Sequence, residues 1–313
     1  MESIIKVNDL VKKYDKTKEP AVKGISFSVN EGEFFAFLGP NGAGKTTVIS
    51  ILTTTLSKTS GEVSIAGFDI DKEAKYVREK VGIIFQRPSL DMQLTAEENI
   101  RFHACLYGMY SYRPAFWMMP ADYQRRVNEL AEIVGIQDAL NKPIKKLSGG
   151  MQRKLEIIRS LIHTPKILFL DEPTQGMDAV SRRSLWEYIN NVRHETGTTV
   201  FLTTHYIDEA EHVDKVCIIN QGKTAICGSP DEMKQSLLRQ ELILDAEDRE
   251  RLVFELAGMR LSPRIDDHII VPYQGISAQE IITKIQTQLT VLKIQEPSLE
   301  DAYVEYLIKQ EGK

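Results

Sequence analysis

The stretch FFAFLGPNGAGKT, residues 34–46, determines the fold of this chain. Its apolar start predicts a buried strand, and the following TTVISILTTT, residues 46–55, carries apolar residues at helical spacing. The intervening GPNGAGKT matches G-x-x-x-x-G-K-[ST] between a strand and a helix, which is the context in which such loops bind phosphate. A glycine-rich turn without a nucleotide is the alternative. We predict that this loop binds the phosphates of a nucleotide.

Each part of the loop has a predicted role. The glycines let consecutive N–H groups converge on phosphate oxygens, and the helix dipole adds roughly 0.3–1 kcal/mol per favourable charge. Lys45 should reach the β and γ phosphates, and Thr46 should bind Mg²⁺. The predicted nucleotide-binding residues of the loop are Gly39, Pro40, Asn41, Gly42, Ala43, Gly44, Lys45, Thr46 and Thr47.

A second site is predicted where ILFLDEP, residues 167–173, ends in two acids. Neighbouring side chains at a strand end point in different directions, so the two carboxylates can serve two purposes. Asp171 is the candidate for holding Mg²⁺, and Glu172 is the candidate for the general base that polarises a water molecule. A pair of solvated surface acids is the alternative, which the neighbouring phosphate loop disfavours.

The remaining pattern predicts an α/β core with a largely parallel sheet. Residues of about 95–162 form a helical insertion, with Thr95 and Asp122 as predicted N-caps. The strands KILFLDEP and TTVFLTTH follow it, each ending in polar residues, where open α/β sheets bind ligands. From about residue 235 a small α+β unit resembling a split βαβ is predicted, closed by a helix over PSLEDAYVEYLIK.

Composition excludes several classes of protein. The net charge of -5 over 313 residues offers no general attraction to nucleic acid. No signal peptide is visible, and apolar runs such as KILFL are far shorter than the roughly 20 residues that span a bilayer. The three cysteines, Cys105, Cys217 and Cys227, suggest neither a disulfide framework nor a zinc ribbon, so we expect a reducing cytosol.

Six ordered motifs resemble the ATP-binding cassette of ABC transporters. They are GPNGAGKT, the glutamine of IIFQRPSLD, LSGGMQRK at residues 147–154, ILFLDEP, the aspartate of TQGMD and the histidine of LTTHYIDEAE. The resemblance covers about residues 3–230. It implies an ABC ATPase cassette over residues 1–232, with a mixed sheet core and the helical subdomain, followed by an accessory or regulatory α+β domain over 235–313. The implied cofactors are ATP and Mg²⁺.

The resemblance also implies a second cassette, expected to be another copy of this chain, with a paralogue as the alternative. In this family two cassettes pair head to tail, so the signature residues would meet the ATP of a partner cassette. Those residues are Ser148, Gly149, Gly150 and Gln152, and Asp178 resembles the aspartate that contacts the opposing subunit. The alternative is an ordinary helix start with Ser148 as its cap.

Further roles follow from the same resemblance. Tyr14 resembles the aromatic residue that stacks on adenine, assisted by Val22; simple packing is the alternative. Gln86 resembles the glutamine that senses Mg²⁺ and the attacking water, with its loop touching the membrane partner. His205 resembles the histidine that contacts the γ phosphate and helps orient Glu172. A metal cluster of His205 with Asp208, Glu209 and His212 is the alternative.

Several segments resemble the daunorubicin-resistance type of exporter ATPase, including GMDAVSRRSLW and the terminal PSLEDAYVEYL. This implies a separate permease, outward transport of a drug, lipid or polysaccharide, and a location on the inner face of the cell membrane. Soluble ABC proteins of repair or translation, and a regulatory module without turnover, are the alternatives. The aromatic insert YGMYSYRPAFWMMPADYQR is expected either to contact a permease or lipid or to pack its own aromatic rings.

Overall fold

The computed structural model describes residues 3–15, 17–85, 89–237, 240–273, 276–295 and 298–301. The chain divides into two compact units, residues 1–228 and 229–313. Within the described ranges, every helix is too short or too polar to cross a bilayer.

The first unit alternates strands and helices. Its elements in chain order are β1 (Ser3–Lys12), β2 (Val22–Asn30), β3 (Phe34–Leu38), α1 (Lys45–Leu52), β4 (Ser60–Ile65), β5 (Phe68–Asp69), α2 (Ala74–Lys80), β6 (Val81–Ile84), α3 (Ala96–Leu106), α4 (Ala121–Val134), α5 (Gly149–Leu161), β7 (Ile167–Asp171), α6 (Ala179–Thr196), β8 (Thr199–Thr204), α7 (Ile207–Ala210), β9 (Lys215–Asn220) and β10 (Lys223–Gly228).

The central sheet positions the predicted site. Its strand order is β10-β9-β3-β8-β7-β6, parallel throughout except for the β9–β10 hairpin. Strands β3, β7 and β8 are buried on both faces, as expected of parallel strands covered by helices. Because these three strands are neighbours and run the same way, their carboxyl ends bring the phosphate loop, Glu172 and His205 to one edge. The predicted α/β fold is confirmed.

A second sheet, of order β2-β1-β4-β5, is antiparallel and makes the core mixed rather than purely parallel. Phe27 of this sheet packs against three rings of the central sheet. Its ring centroid lies 5.4 Å from those of Phe35 and Phe37 and 6.0 Å from that of Phe201. This aromatic cluster joins the two sheets in one apolar core.

The helical insertion forms helices α3, α4 and α5. Thr95 caps α3 in a capping box with Glu98, which confirms the predicted start. The prediction that Asp122 caps α4 was wrong, because the cap position is Pro120 and Asp122 lies in the first turn. There its carboxylate accepts a hydrogen bond of 2.8 Å from the hydroxyl of Tyr110, which ties the first turn of α4 to the insert.

The second unit has its own core. Its elements are α8 (Pro230–Leu237), β11 (Gln240–Ala246), α9 (Arg249–Gly258), β12 (Arg264–Ile265), β13 (Ile269–Tyr273), α10 (Ala278–Lys284) and β14 (Leu289–Gln295). The antiparallel sheet has the order β12-β13-β11-β14, which is the split βαβ arrangement that the sequence predicts.

The C-terminal helices of this unit are α10 and the predicted closing helix. Helix α10 ends at Lys284, and beyond it the backbone N–H groups of Gln286 and Thr287 donate to the carboxylate of Glu255. The predicted closing helix begins among described residues at Ser298–Asp301, and the rest of it lies outside them.

The β9–β10 hairpin corrects the cysteine analysis. Cys217 and Cys227 face each other in its antiparallel register, with their Cα atoms 4.1 Å apart, and form a disulfide. The cysteine count did not indicate this pair, because only the strand register brings the two residues together. Cys105 is a free thiol.

Candidate active site

The phosphate loop follows the buried strand β3 and ends at the start of α1. A Cβ at Gly39 would lie 2.3 Å from the carbonyl oxygen of Ile219, so only glycine fits there. Gly44 has a φ of 108° and would place a Cβ 2.8 Å from the carbonyl oxygen of Ala21. No side chain caps α1 and no acid lies in its first turn, so its N–H groups remain available to an anion.

Lys45 lies at the floor of this loop and is almost fully buried. Its Nζ donates hydrogen bonds of 2.7 Å to the carbonyl oxygen of Gly39 and 3.2 Å to that of Pro40. The same Nζ lies 3.2 Å from Oε1 of Glu172. The cation is thus held between the loop and the first acid beyond strand β7, where phosphate oxygens bound by the loop would meet it.

Asp171 is buried at the end of β7 and is surrounded by hydroxyl groups. The hydroxyl of Thr203 donates a hydrogen bond of 2.5 Å to its Oδ1, and the side chain of Thr46 also hydrogen-bonds to it. Burial raises the pKa of this carboxyl, and the neighbouring Glu172 raises it further. A hydroxyl and a carboxylate are oxygen ligands suited to Mg²⁺, so the residues present fit the ion assigned to them.

Glu172 has a φ of 46°, which is a strained backbone conformation for a residue with a side chain. Its N–H donates to the carbonyl oxygen of Thr203 at 3.0 Å, which holds the strained residue against strand β8. Besides the contact with Lys45, its Oε2 lies 3.2 Å from Nδ1 of His205. The structure therefore brings together the predicted base, lysine and histidine.

A cavity of about 320 Å³ opens above these groups. Sequence reasoning missed two of its lining residues, Ala21 and Gln175, although the motif TQGMD contains the latter. The full lining is Ala21, Asn41, Gly42, Gly44, Lys45, Thr46, Thr47, Glu172 and Gln175.

The two residues predicted for adenine differ in position. The hydroxyl of Tyr14 lies 3.2 Å from that of Thr47, so its exposed ring stands beside the loop. Val22 is fully buried in β2 and does not line the cavity, whereas its neighbour Ala21 does. A role for Val22 in contacting adenine stays a prediction.

The signature residues lie apart from the cavity lining of their own chain. Ser148 caps α5 by accepting a hydrogen bond of 3.3 Å from the N–H of Met151. The amide of Gln152 donates to the carbonyl oxygen of Leu147 at 3.1 Å, which closes the turn before the helix. Gln86 lies outside the described residues, and the role predicted for Asp178 stays a prediction.

The alternative of a metal cluster at His205 finds no support in the described ranges, where no group of three or more His, Cys, Asp or Glu side chains could hold a metal ion. Glu209 is instead buried and bonded to two hydroxyls. The hydroxyl of Thr204 donates to it at 2.6 Å, and that of Thr174 also donates. This carboxylate joins the segment after Glu172 to the segment that carries His205.

Comparison with known proteins identifies this arrangement. The family described as ABC transporter matches residues 22–175. The daunorubicin/doxorubicin resistance ATP-binding protein DrrA of Streptomyces peucetius is 35% identical over 316 residues, covering 96% of this chain and 91% of that protein. The chain belongs to the ABC transporter ATP-binding proteins.

Other relatives of this ABC protein agree. The bacitracin transport ATP-binding protein BcrA of Bacillus licheniformis is 32% identical, covering 98% of both chains. A solved structure of a dimeric ATP-binding cassette in a post-hydrolysis state, bound to ADP and Pi, is 28% identical. It superposes with a TM-score of 0.63, covering 72% of this chain and 98% of the other. This ABC protein is therefore an ATPase that uses ATP and Mg²⁺.

Proposed function

We propose that this ABC protein is the nucleotide-binding subunit of an exporter and hydrolyses ATP between two copies of itself. Relatives named for daunorubicin/doxorubicin resistance and bacitracin transport match it over more than nine-tenths of both chains, which supports transport over roles in repair or translation. The cargo class is a drug, lipid or polysaccharide. The second unit, residues 229–313, contributes either to dimerisation of the cassettes or to regulation of the ATPase.

The observation that carries the two-copy arrangement is the surroundings of Gly149. A Cβ on this residue would meet nothing within 4 Å, so its own chain does not require glycine at the start of α5. Glycine also favours a helix less than alanine does. The first turn of α5 also carries no acid, so its positive end is not compensated. These features suit the close approach of an anion from another molecule, as the ATP of a partner copy would make.

The chemistry follows from the residues of the site. Glu172 accepts a proton from the attacking water, and His205, 3.2 Å away, keeps that carboxylate in place. Lys45 neutralises negative charge on the transferred phosphoryl group, and the signature of the second copy supplies hydrogen-bond donors from the opposite side. Thr46 and Asp171 would hold Mg²⁺, which supplies further positive charge to the phosphate oxygens.

A groove of about 430 Å³ is the surface that we assign to the separate permease. It lies between residues 89–94 and helix α3, and its rim carries the exposed side chains of Phe102, Leu106 and Tyr112. Such a patch on an otherwise polar surface is typical of a protein interface. A permease held here would place the subunit at the inner face of the membrane.

The aromatic insert extends this surface. Tyr110 and Phe116 pack edge-on against Tyr123, at centroid distances of 5.5 and 6.0 Å, so part of the insert packs its own rings. Trp117 instead leaves 76% of its surface exposed. The insert thus combines a packed base with an outward-facing aromatic side chain that can contact the permease.

The test is the mass in solution of the Glu172→Gln protein, measured by light scattering with and without ATP and Mg²⁺. The variant should bind ATP, lose at least about 1,000-fold in hydrolysis rate, and shift from monomer to dimer only with ATP. Hydrolysis at the normal rate would show that Glu172 is not the base. A variant that binds ATP yet stays monomeric would contradict the homodimer.

The permease assignment has its own test. The tagged protein purified from solubilised membranes should carry a polytopic membrane protein with it, and Leu106→Glu should release that protein. Val180→Glu is the matched control, because Val180 is equally exposed but lies on α6, outside the groove. Equal capture by both variants would place the permease elsewhere, and ribosomes or DNA in place of a membrane protein would contradict transport.

A further inference from the structure

A buried ion pair lies on the signature helix α5. Arg153 and Glu156 are 5% and 2% exposed, and Nη1 of the arginine donates a hydrogen bond of 2.8 Å to Oε2 of the glutamate. A buried ion pair contributes little net stability compared with packed apolar side chains, because removing two charges from water is costly. The other contacts of this pair therefore indicate what it does.

The arginine binds two main-chain carbonyls that lie just beyond the ends of two strands of the central sheet, β6 and β7. Its Nε donates a hydrogen bond of 3.1 Å to the carbonyl oxygen of Pro173, and its Nη1 donates one of 2.6 Å to that of Phe85. Pro173 follows Glu172 directly, and Phe85 follows the end of β6. The planar guanidinium can make both contacts at once because its donors are fixed in a fork.

The glutamate contacts the chain a few residues beyond Phe85, at Ser89. Its Oε1 accepts a hydrogen bond of 2.9 Å from the backbone N–H of Ser89. Phe85 and Ser89 flank residues 86–88, which include Gln86. The ion pair therefore holds both flanks of this segment and, through Pro173, the residue next to the proposed base.

The segment after Glu172 is also held from its other side. Thr174 donates to the buried carboxylate of Glu209, which belongs to α7. Loss of the arginine contact would thus shift the peptide at Pro173 without releasing the whole segment. Because Glu172 is in a strained conformation, its carboxylate position depends on such restraints.

We propose that Arg153, held by Glu156, is a positioning residue for ATP hydrolysis. The pair joins Phe85 and Ser89, which flank residues 86–88, to Pro173, the residue next to Glu172. A movement at the flanks of that segment is passed through the guanidinium to Pro173 and hence to the base. The inference rests on the proposed role of Glu172. A displacement of about 1 Å at a reacting group can cost roughly 100-fold in rate, so a small shift suffices.

The first experiment compares Arg153→Lys with the wild type. A lysine cannot bind both carbonyls in the guanidinium geometry, so kcat should fall at least about 10-fold while the Kd for ATP changes less than about twofold. The control is Arg193→Lys, which removes a similar pair of contacts, to the carbonyl oxygen of Gly32 and the carboxylate of Asp214, away from the site. Glu172→Gln is measured alongside.

The outcomes are distinct. If Glu172→Gln is inactive and Arg153→Lys keeps normal kcat, the positioning role is wrong while the proposed function stands. If Glu172→Gln is active, the proposed base is wrong and the inference fails with it. If Arg153→Lys and Arg193→Lys lose kcat equally, the arginine has only a structural role.

Glu156→Gln covers the case in which Arg153→Lys does not fold. Glutamine keeps an acceptor for Ser89 but loses the charge that holds the guanidinium, so we expect a kcat about 3- to 10-fold lower with unchanged affinity for ATP. Unchanged kcat would contradict the proposal.

The proposed connection between residues 86–88 and Glu172 is tested by combining Arg153→Lys, and separately Glu156→Gln, with Gln86→Ala. If the guanidinium transmits the position of that segment, the double variant should be at least about 5-fold more active than the product of the two single effects predicts. Independent, multiplying effects would overturn the transmission.

Discussion

The two glycine-bearing helix starts of this protein differ in what surrounds their glycines. At the phosphate loop, an added Cβ would lie 2.3 Å from a carbonyl oxygen at Gly39 and 2.8 Å from another at Gly44. At the signature, the same atom on Gly149 would meet nothing within 4 Å. The phosphate loop is thus shaped by its own chain, and the signature is not.

The neighbouring charges show the same difference. Helix α1 begins at Lys45 and faces Asp171 and Glu172 of its own chain, whereas the start of α5 lies apart from that cavity. One helix start is half of a catalytic site with its acids and lysine in place. The other offers only N–H groups and a Ser148 hydroxyl, and becomes useful when a second copy presents ATP to it.

Mixing two inactive variants tests most directly whether the signature of one copy completes the phosphate-loop site of another. Lys45→Ala should abolish ATP binding in its own loop, and Gly149→Val should block approach to the signature, so each alone should lose at least about 100-fold in activity. A mixed dimer retains one intact loop facing one intact signature. The mixture should therefore recover up to roughly a quarter of wild-type ATPase activity, assuming random pairing and independent sites.

The control is a mixture of Lys45→Ala with the double variant Lys45→Ala, Gly149→Val, which contains no intact loop. Its activity should stay at background. If the first mixture is also no more active than its components, either the signature acts within its own chain or the two ATP sites of a dimer hydrolyse ATP only when both are intact.

Alanine substitutions at Gly39 and Gly149 should differ in their effect on the free energy of unfolding. Gly39→Ala should lower the free energy of unfolding by about 1–3 kcal/mol, because the methyl group meets a fixed carbonyl oxygen. Gly149→Ala should leave it unchanged or raise it by up to about 0.5 kcal/mol, since alanine favours the helix, while ATPase activity falls. Urea unfolding and an ATPase assay measure both. A clear loss of stability in Gly149→Ala would remove the distinction drawn here.

The phosphate-loop site alone should respond to pH through Asp171. Burial raises the pKa of this carboxyl above its ordinary value of 3.8, so the folded state binds more protons than the unfolded chain between that value and the folded pKa. Its stabilising contribution is present below about 3.8 and is lost as pH rises through the folded pKa. In EDTA, the free energy of unfolding of Asp171→Asn should therefore rise relative to that of the wild type as pH rises from about 3.8 through the folded pKa of Asp171.

Mg²⁺ with ATP should reverse that gain, because only the ionised wild-type carboxylate holds the ion. Unfolding curves across the window, with and without Mg²⁺ and ATP, check both statements. Parallel curves for the two proteins would show that Asp171 does not titrate in this way.

Tyr14 should give the smallest effect. Removing the ring in Tyr14→Ala should weaken ATP binding by about 1 kcal/mol, or roughly 5-fold, through lost stacking on adenine. Tyr14→Phe keeps the ring and loses only the contact with Thr47, so its affinity should stay within about twofold of wild type. Equal weakening in both variants would assign the effect to the hydroxyl rather than to stacking.

Sequence reasoning succeeded where function depends on local order. The loop, the two acids at the end of β7 and the cap at Thr95 are set by neighbours within a few residues, so the pattern alone locates them. It failed where distant contacts compete with local ones. Asp122 was predicted as a cap, but Pro120 takes the cap position and the carboxylate of Asp122 accepts a hydrogen bond from Tyr110.

By itself, the sequence determined the α/β class, the order of the motifs and the residue types that can bind ATP and Mg²⁺, because these depend on periodicity and on short spacings. Only the tertiary structure decided which of them meet. Parallel neighbouring strands bring Lys45 and His205 each to 3.2 Å from the carboxylate of Glu172. The hairpin register pairs Cys217 with Cys227, and Arg153 joins Phe85 to Pro173, which lie beyond the ends of β6 and β7. Such contacts depend on the packing of distant segments, which no local pattern records.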